Sequence, residues 1–110
     1  MNNDIIRVDS YDFDERTESE IVLVEFYAEW CVHSRGLEPI LEEIADEYYD
    51  SIRVLALDVE QSPDVAARFH IDTTPTVIIF KNGKIAERIG GANPPSTYAD
   101  SIENLLINED

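Results

Sequence analysis

Residues 21–36 read IVLVEFYAEWCVHSRG, from Ile21 to Gly36, and this stretch decides the fold. Ile21 to Tyr27 is a nearly continuous apolar run rich in β-branched and aromatic residues, the composition of a central strand covered on both faces. Glu25 interrupts it. Beyond the stretch, apolar residues fall at Leu37, Ile40, Leu41, Ile44, Ala45 and Tyr48, while Glu38, Glu42, Glu43 and Asp46 take the other positions. That spacing predicts an amphipathic helix. Pro39 lies inside it and cannot donate to the carbonyl of Arg35, so a kink is expected there. Between strand and helix stands Cys31, the one cysteine of the chain.

Outward from this core the elements alternate in type. Ile52 to Val59 predicts a second buried strand, and Ser62-Pro63-Asp64 offers an N-cap, a first-turn proline and a first-turn acid for a short helix ending near Phe69. Thr76 to Phe80 predicts another strand. Asn82-Gly83 is a strong two-residue hairpin signal, after which Lys84 to Ile89 should return antiparallel until Gly90-Gly91 ends the hairpin. Asn93-Pro94-Pro95 precedes a helical pattern with Tyr98, Ile102, Leu105 and Leu106 on one face. Toward the N-terminus, Ile5 to Val8 reads as an edge strand and Asp12 to Glu18 as a short acidic helix. The order β-α-β-α-β-α-β-β-α predicts an α/β fold, a central mixed β-sheet flanked by helices. With 110 residues, 44% of them hydrophobic, and no repeat or linker-like tract, residues 1–110 are expected to form a single domain.

Acidic residues outnumber basic ones 24 to 8, for a formal charge of −16. Such a surface repels phosphates and anionic lipid, so neither nucleic acid nor membrane is expected as a partner. Met1-Asn2-Asn3-Asp4 lacks the basic start and apolar run of a secretory signal, and no stretch approaches the roughly 18 apolar residues of a membrane span. A soluble, cytoplasmic monomer is expected. One cysteine excludes an internal disulfide, and one cysteine with two separated histidines, His33 and His70, falls short of a zinc ligand set. No metal or other cofactor is expected, and His70 reads as a loop-edge residue.

Cys31 follows a buried strand and sits where the helix begins, near unpaired backbone N–H groups and the positive end of the helix dipole. These devices favour thiolate, the reactive form in disulfide exchange. His33 could add positive charge and Ser34 could donate an O–H hydrogen bond to the sulfur.

Val24-Glu25-Phe26-Tyr27-Ala28-Glu29-Trp30-Cys31 resembles the active-site strand of thioredoxins. The resemblance extends through Pro39, which matches the proline inside that family's helix, and through Glu38 to Ala45, which resemble the helix body. Thr74-Pro75-Thr76 matches the cis-proline loop, Phe80-Lys81-Asn82-Gly83 the hairpin, and Gly90 the glycine beside the active site. It covers essentially the whole chain in order and implies a thioredoxin fold and thiol–disulfide exchange at Cys31. It further implies a cis Thr74-Pro75 bond, with the backbone of Thr74 offered to an extended substrate peptide inside an apolar rim of Trp30, Val32, Ile71 and Pro75. Disulfide-bonded proteins are the implied substrates, and a thioredoxin reductase is an implied partner.

Three positions depart from the family. Ser34 stands where thioredoxins carry the resolving cysteine, and a hydroxyl cannot attack a mixed disulfide. Glu25 replaces the buried aspartate that serves as proton acceptor, leaving either an acid/base role or a neutral core carboxyl. Ala56 replaces a lysine that often pairs with that acid. Two origins of Ser34 stay open, a natural CxxS chain and a Cys→Ser change in a Cys-Val-His-Cys parent of the same chemistry. Two functions stay open as well: an oxidoreductase limited to the mixed-disulfide half-reaction, and a non-catalytic peptide- or protein-binding module on the same fold. A peroxidatic thiol is disfavoured, since no second cysteine resolves a sulfenic acid.

Overall fold

The computed structural model describes residues 5–18 and 20–108. In chain order the elements are β1 (Ile5–Val8), α1 (Phe13–Thr17), β2 (Ile21–Tyr27), α2 (Val32–Glu47), β3 (Ile52–Asp58), α3 (Pro63–Arg68), β4 (Thr76–Lys81), β5 (Lys84–Gly90) and α4 (Pro95–Ile107). The strands form one sheet in the order β1-β3-β2-β4-β5. β3 pairs parallel with both β1 and β2, whereas β2–β4 and β4–β5 are antiparallel. The sheet is therefore mixed, with β1 at one edge and β2 at its centre.

The central place of β2 explains its composition. A strand with neighbours on both sides and helices on both faces has no wet side, and Val22, Leu23, Val24 and Phe26 are all fully buried. Alternate residues feed two cores. Leu23 packs with Leu37, Leu41 and Ile44 of α2 and with Tyr98 and Ile102 of α4. Val22, Val24 and Phe26 pack on the opposite face with Phe13 of α1 and Val65 of α3. The rings of Phe13, Phe26, Phe69 and Phe80 close that second core in tilted and edge-on contacts, with centroids 5.5 to 6.3 Å apart.

α2 begins five residues before the apolar periodicity does, at Val32, because the turn Val32-His33-Ser34-Arg35-Gly36 is mostly polar or small and carries no pattern. The helix is continuous through Pro39. Asn82 and Gly83 both take positive φ, 52° and 83°, as the central pair of a type I′ hairpin requires. One expectation is corrected: Leu106 is 38% exposed, since α4 turns only Tyr98 and Ile102 fully onto the sheet. Ser62 occupies the N-cap position of α3 with Pro63 and Asp64 in the first turn, as expected, though its buried side chain makes no cap hydrogen bond.

Candidate functional site

Cys31 is the N-cap of α2, in extended backbone (φ −88°, ψ 119°) immediately after the turn that ends β2. Its thiol donates to the carbonyl oxygen of Thr74 at 3.3 Å. Thr74 is brought there by the loop before β4, in which the Thr74-Pro75 bond is cis. Ser34 lies one turn into α2 and is buried, and the backbone N–H of Ala28 points at its hydroxyl oxygen at 3.4 Å, a long contact. The strand end, the helix start and the cis-proline loop thus converge on one sulfur.

The Cys31 thiol is drawn down to about 7. The Thr74 side-chain hydrogen bond contributes most, followed by the backbone N–H of Ser34, with the Ser34 hydroxyl and the backbone N–H of His33 adding to it while burial opposes. Donation by the thiol to the Thr74 carbonyl favours the protonated form, so Thr74 pulls both ways and its hydroxyl prevails. His33 is exposed and acts on the sulfur through its backbone N–H rather than through the imidazole charge expected from the sequence.

Glu25 is 1% exposed, and its Oε2 has no hydrogen-bond partner among the described residues. Burial first, then the negative charge of Glu38, push its carboxyl up to about 7, while Arg7 pulls the other way. Ala56 is its neighbour on β3, as the sequence implied, and supplies no cation.

Around the sulfur, Trp30 and Val32 are 67% and 65% exposed, an apolar rim facing solvent. Pro75 does not join it: this residue is buried, tied down where its carbonyl accepts the Gly91 N–H at 2.9 Å. Ile71 is half-buried against the core of the opposite face. Gly90 is exposed beside the cis-proline loop, paired with Thr76, and a Cβ there would meet open space. The neighbouring glycine carries the conformational demand, since Gly91 holds φ of 81°.

Several contributors escaped the sequence reading. The indole N–H of Trp30 donates to Glu60 at 2.6 Å and fixes the ring beside Cys31. Arg88 of β5 donates to the carbonyls of Phe69 and His70 at 2.6 and 2.7 Å, clamping the loop that leads to Thr74. His70 itself adopts φ of 55°, unusual for a non-glycine residue. These partners are far apart in sequence and carry no local signal. Among the described residues there is no group of three His, Cys, Asp or Glu side chains that could hold a metal ion.

A thiol at the N-terminus of the helix after the central strand, faced by a cis-proline loop, defines the class of thiol–disulfide exchange proteins. The family model described as Thioredoxin matches residues 4–104. The thioredoxin of Staphylococcus aureus is 35% identical over 102 residues, 93% of this chain and 98% of that protein. Among solved structures, a mutant thioredoxin from Halobacterium salinarum superposes with a TM-score of 0.89 at 26% identity, covering 97% of this chain and 95% of that one. Malassezia sympodialis thioredoxin follows at 0.85 and 28%, covering 94% and 91%. The chain belongs to the thioredoxin family of thiol–disulfide oxidoreductases.

Proposed function

We propose that this protein acts on protein disulfides through Cys31 and stops at the mixed disulfide. The Cys31 thiolate attacks one sulfur of a substrate disulfide, a Cys31–substrate S–S bond forms, and the other substrate sulfur leaves as thiolate. Ser34 cannot attack that bond, so the complex persists until an external thiolate attacks the substrate sulfur and Cys31 leaves. With one cysteine the chain makes no internal disulfide for a thioredoxin reductase to reduce, and any reductant must act on the mixed species. The observation that carries this reading is Cys31 at the N-cap position of α2, its sulfur against the cis-proline loop among groups that lower its pKa to about 7.

In this reading Thr74 offers its backbone to the substrate strand, Trp30, Val32 and Gly90 form the surface it lies on, and Pro75 shapes the loop from below. A reducing compartment such as the cytoplasm suits it, because free thiols persist there. No helix among the described residues is long and apolar enough to cross a membrane. The second reading, a binding module in which Cys31 is a relic, is favoured by Ser34 alone.

Insulin separates them. Mixed with the reduced protein, it should yield a covalent adduct visible by non-reducing mass spectrometry, released by glutathione and absent in Cys31→Ser. Non-covalent association without an adduct would support the binding module.

A further inference from the structure

The sheet register builds one row of side chains across four strands: Arg7 on β1, Ala56 on β3, Glu25 on β2 and Val77 on β4 are successive cross-strand partners. Members of a row project to one face, and Val77 marks this as the face covered by α2. Glu25 is buried in that row with its Oε2 unpartnered among the described residues. Its cross-strand neighbours Ala56 and Val77 are uncharged. Among the described residues, the charges that act on it are Glu38 from α2, which opposes ionisation, and Arg7 from β1, which favours it.

Those two charges are paired with each other. Arg7 Nη2 bonds Glu38 Oε2, and the guanidinium also lies over the ring of Tyr27, 5.4 Å from its centroid. With Tyr27, Arg35 and Ser34, the pair lines a cleft of about 290 Å³ on the Ser34 side of the Cys31 site. Among the described residues the buried carboxyl therefore has Arg7 as the cation acting on it, and Arg7 is already engaged by an acid.

We propose that the Arg7–Glu38 pair is a positioning element that sets the pH range in which buried Glu25 exchanges its proton. The small Ala56 between Arg7 and Glu25 leaves the outer strand to supply the cation, and Glu38 restrains how far Arg7 can favour the ionised form. The use of this device rests on the exchange reading above. An external thiol approaching the mixed disulfide passes its proton through water entering by the cleft to ionised Glu25; its thiolate then attacks the substrate sulfur, and Cys31 leaves as thiolate. Glu25 then returns the proton to solvent. Arg7 and Glu38 touch no reacting atom and act through Glu25.

The two halves of the pair should behave oppositely, which a purely structural ion pair would not show. The test is a ¹³C carboxyl NMR titration of the full chain, with Glu25 assigned by loss of its resonance in Glu25→Gln. In Arg7→Met the Glu25 midpoint should move up the pH scale by on the order of one unit, and in Glu38→Gln it should move down. Arg7→Lys, which keeps the charge, should return it toward the native value. Both side chains are substantially exposed, so the variants should fold. Midpoints that move together, or do not move, overturn the proposal. The titration needs no reactive cysteine, so it stands or falls apart from the exchange reading. The pH profile of glutathione release from the insulin adduct then reports the use: its inflection should follow the Glu25 midpoint across the variants, and an inflection indifferent to them would remove Glu25 from that step.

Discussion

The thiol of Cys31 rests 3.3 Å from the carbonyl oxygen of Thr74, two residues 43 positions apart that the cis-proline loop brings into contact. The same residue presents a hydroxyl that favours thiolate. Replacing Thr74 by Val keeps the shape and the carbonyl but removes that hydroxyl. The Cys31 inflection should rise from about 7 toward the ordinary thiol value, and alkylation at neutral pH should slow severalfold. The ultraviolet absorbance of the thiolate, followed against pH, checks this.

Ser34→Cys should convert a stoichiometric reaction into a catalytic one. The new thiol would stand at the buried position one turn into α2, close enough to resolve the mixed disulfide within the chain. Intramolecular attack replaces an encounter with external thiol, so insulin reduction at a fixed dithiothreitol concentration should rise by at least about tenfold. Equal rates in both proteins would show that resolution does not limit turnover.

Glu25 makes stability fall as pH rises. Its folded-state pKa of about 7 exceeds the ordinary 4.5, so between these values the native state keeps a proton that the unfolded state has lost. The loss across that window is on the order of 3 kcal/mol from this one group. Urea unfolding of the native protein and Glu25→Gln at acid and mildly alkaline pH should show the variant gaining relative stability as pH rises. A pH-independent difference would mean that the carboxyl does not ionise in this range.

The formal charge of −16 implies self-repulsion in the compact state. Raising salt from 0.1 M to 1 M shortens the screening length from ~10 Å to ~3 Å. Thermal midpoints should rise by about 5 °C or more over that interval, and a flat response would mean that the charges are already compensated locally.

The features legible in the sequence are those written in local periodicity. β2 and the body of α2 each announce themselves by which positions are apolar, and Cys31 falls between them; that the helix reaches back through the patternless turn to Val32 and makes Cys31 its N-cap is shown by the structure. The hairpin at Asn82-Gly83 is equally local, because positive φ at two successive residues selects those side chains. What the sequence could not show depends on strand order. Glu25 is recognisable as a buried carboxyl, but Arg7 becomes its cation only because β3 lies between β1 and β2 and places Ala56 in the intervening row. Trp30 and Glu60, or Arg88 and the His70 carbonyl, likewise meet through the fold. The tandem glycines show the same limit: both Gly90 and Gly91 suit a hairpin end, and only the backbone reveals that Gly91 holds the positive φ.

Whether Cys31 remains a working nucleophile is tested most directly by its alkylation rate with iodoacetamide as a function of pH in the folded, native-sequence protein. With a single thiol the profile reports one group. The donors around the sulfur predict an inflection at about 7 that disappears on unfolding in denaturant. An inflection at or above the ordinary value of 9.0, unchanged by unfolding, would contradict a working nucleophile and leave the fold as a binding scaffold.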